Sequence, residues 1–192
     1  YTVKDTLSLH DALPIWINKM TLTKEYIQKL PKAELHCHLD GSMRVETIIE
    51  LAEQNDVRIP SHDPQELRDI LVQDEAASLV NYLKAFDITC SVLQDYESLR
   101  RAAYELIEDC AKENVIYIEV RYAPLLHQQK GMKLTQVVEA VLQGLREGER
   151  DFGVRWGLII CALRSSHPKY TLQMAELCIA YKHQGVVAFD LA

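Results

Sequence analysis

Residues Leu30–Ser42 read LPKAELHCHLDGS, and the fold turns on how this stretch is read. Bounded by Pro31 and Gly41, it predicts a short β-strand whose side chains alternate with a period of two. Lys32, Glu34, His36, His38 and Asp40 then share one face, and Ala33, Leu35, Cys37 and Leu39 share the other. Two imidazoles at i and i+2 on a rigid strand can reach one metal ion at about 2.0–2.1 Å, and imidazole suits zinc and its neighbours. Asp40 stands two residues further along that face, where a substrate would approach. Cys37 points to the opposite face and leaves the ligand set. An H-x-H tripeptide is weak evidence by itself, so the surrounding chain must decide.

Upstream, Thr21–Lys29 reads as a short helix with Thr23 as N-cap, ended by Pro31. Downstream, Ser42 is placed to cap a helix over Arg44–Asn55, with Val45, Ile48, Ile49 and Ala52 on one face. The prolines of Arg58–Pro64 mark a loop, and Gln65–Val72 a short helix. Ser78–Cys90 carries Leu79, Tyr82, Leu83 and Phe86 at i, i+3, i+4 and i+7, either a core-facing stripe or an apolar wall over a pocket. Tyr96–Asn114 is a long amphipathic helix. The β-branched and aromatic run Val115–Pro124 is a second strand. Leu134–Phe152 is helical and closed by Gly153, and Arg155–Arg164 is a third strand, apolar enough to be buried on both faces. Pro168–Gln184 is a helix ended at Gly185, and Val186–Ala192 is a fourth strand. Such alternation argues for parallel strands joined by right-handed crossovers. A (β/α)8 barrel needs about 250 residues. With four strands, and an apolar strand last, the chain reads as the N-terminal half of such a barrel; a complete four- or five-stranded open sheet is the alternative.

The 192 residues are 48% hydrophobic and 26% charged, ordinary for a globular protein. With a net charge of −7 and scattered basic residues, nothing favours nucleic acid or an anionic membrane surface. No apolar run reaches the roughly 18 residues that span a bilayer. The five cysteines are odd in number and lack C-x-x-C spacing, as free thiols of a reducing, cytoplasmic compartment would be. Tyr1–Lys19 has neither a sustained helical period nor a signal-peptide layout. It reads as a non-native or disordered leader, with Met20 as the native start and residues 20–192 as the truncated barrel; His10 and Asp11 therefore carry no functional weight.

Taken together, LPKAELHCHLDGS, SLVNYLKAFD, ENVIYIEVRYAP, GLREGERDFGVRWGLIICALR and GVVAFDLA, in this order, resemble the adenosine deaminase family from about Met20 to the end. The resemblance implies a (β/α)8 barrel with one Zn²⁺ at the C-terminal ends of its strands. His36 and His38 match two zinc ligands. His38 and Asp40 match positions contacting the nucleoside, with Asp40 accepting from the ribose 5′-hydroxyl; related adenine deaminases typically carry glutamate there, so Asp40 favours a nucleoside. Leu79, Tyr82, Leu83 and Phe86 match an apolar helix gating the pocket, Tyr82 standing where phenylalanine is common. Asp190 matches an aspartate expected to support the site without touching the metal. The implied reaction is hydrolytic deamination of adenosine to inosine and ammonia in purine salvage, with 2′-deoxyadenosine as a second substrate. The family's acid, its catalytic histidine and its remaining zinc ligands fall beyond the equivalent of Ala192.

The other histidines supply no substitute. His62 lies in a Pro-flanked loop, His167 precedes Pro168, and His183 stands near a helix C-terminus, where a cation is favoured. His127 follows the second strand on the side of a barrel that holds catalysis, yet most such histidines are solvated. Glu34 and Glu119 are expected to pair with Lys32 or Arg121. Three readings stand: a zinc-dependent adenosine deaminase; an adenine deaminase or another barrel hydrolase such as a phosphoesterase; and a half-barrel inactive alone. The last follows from two histidine ligands where catalytic zinc normally has three protein ligands. The oligomeric state is left open.

Overall fold

The computed structural model describes residues 23–72 and 79–192, with the backbone alone for residues 79–83. The expected leader, His10 and Asp11 lie outside these residues. Contacts divide the chain into Tyr1–Leu30 and Pro31–Ala192. Within the first unit, α1 (Lys24–Lys29) begins as its sequence predicts: the Thr23 hydroxyl accepts from the Tyr26 N–H at 3.2 Å.

The second unit is a four-stranded parallel sheet in the order β1 (Lys32–His38), β2 (Val115–Tyr122), β3 (Arg155–Ala162), β4 (Val186–Leu191). Strands adjacent in sequence are adjacent in space, so the order never reverses. An open doubly wound sheet has such a reversal and binds ligands there. A sheet without one matches the wall of a barrel, whose sites lie at the C-terminal ends of the strands. β3 is buried from Gly157 to Ala162, as its continuous apolar run requires.

Helices α2 (Val45–Gln54), α3 (Pro64–Leu71), α4 (Leu79–Val92) and α5 (Tyr96–Lys112) lie between β1 and β2; α6 (Leu134–Phe152) and α7 (Pro168–Tyr181) make the next two connections. α5 and α6 pack most intimately. A Cβ on Gly144 would stand 2.1 Å from the Arg100 carbonyl oxygen, and one on Gly148 would stand 2.6 Å from Ile107 Cβ, so only glycine allows this approach. Around this contact Leu99, Ala103, Ile107, Val137, Val141 and Leu145 are buried, as the stripes predict. Among the described residues no helix is long and apolar enough to cross a membrane.

In its secondary structure the protein departs from the sequence reading at three places. β1 is an edge strand with register shifts between Lys32 and Ala33 and between Glu34 and Cys37. Its apolar backing is therefore partial: Leu39 is 1% exposed, but Leu35 is 59% exposed. Ser42 does not cap α2, which starts after Arg44; the Ser42 hydroxyl lies 3.2 Å from Cys37 Sγ instead. Arg44 is held across the helices by Asp109 and Glu108 at 2.6–2.8 Å. α7 ends at Tyr181, short of Gln184. At its start His167 serves as the N-cap, its Nδ1 accepting from the Lys169 N–H at 3.2 Å.

Candidate metal centre

His38 ends β1, and its neighbour His36 turns toward it. The two Nε2 atoms lie 3.2 Å apart, with ring centroids at 5.2 Å. Two nitrogens each about 2.0–2.1 Å from a tetrahedral zinc ion are about 3.4 Å apart, so this spacing fits chelation of one ion. The backbone leading into His36 is held locally, since the Glu34 carboxylate accepts from the His36 N–H at 3.1 Å.

Arg121, near the end of β2, lies 3.0 Å from His38 Nε2 and 3.3 Å from Nδ1 through one guanidinium nitrogen. A nitrogen that close to both ring nitrogens cannot lie in the ring plane without striking the carbon between them. It packs on the face of the imidazole, and the in-plane Nε2 lone pair stays open to a metal. Arg121 also donates to Asp190 on β4 and, at 3.0 Å, to Cys161 Sγ on β3. One buried cation thus ties all four strands at the mouth of the sheet. Asp190 touches Arg121 rather than the His36–His38 nitrogens. Glu119 takes the Tyr117 hydroxyl at 2.9 Å, so the expected Glu119–Arg121 pair is not formed.

Burial first, then the charges of Arg121 and His36, pulls the His38 pKa down, with Asp190 opposing. A neutral imidazole with a free lone pair is the form that binds metal. Asp40 is 4% exposed. Burial raises its pKa against the pull of the Cys90 thiol, which donates toward Oδ2 at 3.7 Å, and of Arg121. Its other oxygen, Oδ1, has no hydrogen-bond partner and lies 3.9 Å from His38 Nδ1. Phe86 meets the His38 ring edge-on at 5.7 Å, a contact that Gly41 permits, since a Cβ there would press on Phe86 and on His38 Cβ at 3.3 Å. Phe86 therefore stands beside the site as the gate reading expects, while the side chains of Leu79, Tyr82 and Leu83 lie outside the described residues.

His127 is the residue that the sequence reading undervalued. It sits in the 3₁₀ turn Pro124–His127 and is fully buried, not solvated. Its Nδ1 donates to the Leu93 carbonyl at 2.9 Å, and burial drags its pKa to about 4. His62, by contrast, is exposed and 3.4 Å from Glu53.

Comparison with known proteins identifies the family. The family model described as adenosine deaminase matches residues 31–192. The "Probable adenosine deaminase" of Dictyostelium discoideum is 43% identical over 176 residues, 91% of this chain and 23% of that protein. The adenosine deaminase of Clostridium botulinum strain Loch Maree is 42% identical over 165 residues, 85% of this chain and 49% of the relative. Among solved structures, an amidohydrolase from Burkholderia ambifaria with bound Zn superimposes with a TM-score of 0.78 at 25% identity, covering 92% of this chain and 48% of that one. The chain thus spans about half the length, or less, of the proteins it matches, which makes its four strands the N-terminal half of the barrel. It belongs to the adenosine deaminase family.

Proposed function

We propose that these residues are the N-terminal part of a zinc-dependent hydrolase that converts adenosine to inosine, and 2′-deoxyadenosine to 2′-deoxyinosine, with release of ammonia, in cytoplasmic purine salvage. The observation that carries this reading is the pair of Nε2 atoms 3.2 Å apart on His36 and His38, with the Asp40 carboxylate beside them. His36 and His38 would hold zinc, which when bound activates a water for hydrolysis. Arg121 stacks on His38 and keeps the ring turned, and the low pKa of His38 keeps its ligating nitrogen unprotonated. Asp40 would accept from the ribose 5′-hydroxyl, orienting the nucleoside. Phe86, with Leu79, Tyr82 and Leu83 on the same helix, would close over the purine and exclude water. Residues 20–192 would form the barrel portion, with 1–19 a leader outside it.

Two histidines fall short of the three protein ligands of a catalytic zinc site. The 192 residues alone should therefore bind zinc weakly and turn over no adenosine. Calorimetric titration with zinc should show a binding event at the histidine pair that His36→Gln and His38→Gln each remove; an unchanged stoichiometry in both variants would remove the basis of the reading. Measurable inosine formation by the 192-residue chain would refute the incomplete-site reading. In a protein of the relatives' length, adenine turned over faster than adenosine would move the substrate to the free base.

A further inference from the structure

Asp40, Cys90 and His127 form a second cluster, all buried, with one ligand atom from each within 4.8 Å of the others. The cluster is held in place by its surroundings. Buried Gln94 donates to the carbonyls of Cys90 at 2.7 Å and Leu126 at 2.9 Å, and accepts from the Gln129 N–H at 2.9 Å. It thereby clamps the end of α4 to the turn that carries His127. A carbonyl oxygen only accepts, so the 2.9 Å contact with Leu93 fixes the proton of His127 on Nδ1 and leaves Nε2 with a bare lone pair. His127 is 0% exposed, and its Nε2 has no partner; Asp40 Oδ1, equally buried, has none either. A buried acceptor without a donor is unfavourable, and a cation at His127 Nε2 would relieve it.

We infer that Asp40, Cys90 and His127 are a binding site for a thiophilic divalent cation, zinc or cadmium in class, separate from the His36–His38 pair. The donor set of carboxylate oxygen, thiolate sulfur and imidazole nitrogen suits such an ion. Carboxylate and thiolate balance its two positive charges. On binding, the S–H bond of Cys90 breaks, its proton goes to solvent and a sulfur–metal bond forms, with no change of oxidation state. The 3.7 Å from Cys90 Sγ to Asp40 Oδ2 already suits two ligands of one ion. A ligating imidazole is commonly oriented through its other ring nitrogen by a backbone carbonyl, the role Leu93 fills here. Asp40 also lines a cavity of about 190 Å³ with Phe86 and Thr89. With Asp40 held by this ion, its carboxylate is withdrawn from any other ligand, so occupancy opposes binding at the neighbouring site. The site does not depend on the deaminase reading: either could hold without the other.

The test uses the 192-residue chain carrying His36→Gln and His38→Gln, which removes the nitrogen-only centre. Prolonged dialysis against cobalt(II) should give one equivalent of bound metal and a thiolate-to-metal charge-transfer band in the near ultraviolet. Cys90→Ser should abolish the band, and His127→Gln should weaken binding at least tenfold. X-ray absorption of the cadmium-loaded chain should show one sulfur among nitrogen and oxygen neighbours, a readout that needs no change at Cys90. Absence of the band at saturating cobalt, its survival in Cys90→Ser, or a cadmium shell without sulfur would each overturn the assignment, leaving a bridging water as the occupant.

Discussion

The Arg121–Asp190 pair predicts an asymmetry between its two partners. The Arg121 side chain is 10% exposed and that of Asp190 is 39% exposed. Removing one partner of a fully buried pair costs about 3–5 kcal/mol, and an exposed pair is worth about 0–1 kcal/mol. This pair lies between those limits. Asp190→Ala strands a buried guanidinium beside a thiol and an imidazole, so it should cost about 2 kcal/mol. Arg121→Met leaves a carboxylate that water can reach and an apolar chain in place of the stem, so it should cost about 1 kcal/mol. Urea denaturation followed by circular dichroism at pH 7 measures both, and thermal melting should place Asp190→Ala about 4–8 °C below the parent. The Arg121 hydrogen bond holds the Asp190 carboxyl below its ordinary pKa. Its contribution is therefore complete above the unfolded value of about 3.9 and is lost as pH falls through the lowered folded value, a part of the acid limb that Asp190→Ala should lack. A larger loss in Arg121→Met than in Asp190→Ala would refute the reasoning, because it would mean the cation, not its counter-charge, supplies the stability.

Gly144→Ala gains about 1 kcal/mol of helix propensity but drives a methyl into a backbone oxygen 2.1 Å away, and overpacking costs about 1–3 kcal/mol or more; net destabilisation should appear as a lower urea midpoint. In the metal-free chain His127 is neutral down to about pH 4, so its ring signals in NMR should stay unshifted from pH 8 to 5. Its folded pKa lies below the unfolded value of about 6.5, so stability is complete above that value and falls as pH drops toward 4, an effect that His127→Gln should flatten. In a protein of the relatives' length, Asp40→Asn should raise KM for adenosine about 10-fold or more by weakening a charge-assisted hydrogen bond, and should leave 5′-deoxyadenosine, which lacks the hydroxyl, nearly unchanged.

Whatever depends on spacing along the chain could be read in advance. The stripes of Leu99, Ala103 and Ile107 and of Val137, Val141 and Leu145 located α5 and α6, and the unbroken apolar run of β3 announced a strand covered on both sides. The i, i+2 spacing of His36 and His38 anticipated that the two rings would come together, although β1 is irregular between Glu34 and Cys37. What escaped depends on partners distant in sequence. Arg121 looked like a counter-ion for a strand glutamate; its partner is Asp190, 69 residues away, because parallel strands bring their C-terminal ends together regardless of sequence separation. Ser42 had the residue type of a cap, but the chain runs on to Arg44, which three acidic groups on α5 hold at the helix start.

His127 marks the limit of local reading most sharply. Nothing in PLLHQQ distinguishes a buried imidazole from a solvated one, because the groups that meet it lie elsewhere in the chain, in the segment after α4 and at the end of β2. Leu93 takes its Nδ1 proton from 34 residues away, and Gln94 fixes the turn around it. Asp40 was visible as a candidate because it extends the β1 face; that one of its oxygens lacks a partner became visible only once α4 and the Pro124–His127 turn were in place. On the two proposals above, the same carboxylate would face two demands: reading a ribose beside His38, and meeting Cys90 and His127. A residue so placed couples the two sides. Any change at His127 or Cys90 that reorients Asp40 should alter nucleoside selectivity before it alters metal binding at His36 and His38, and equal losses of both would show that the two sides are not separable.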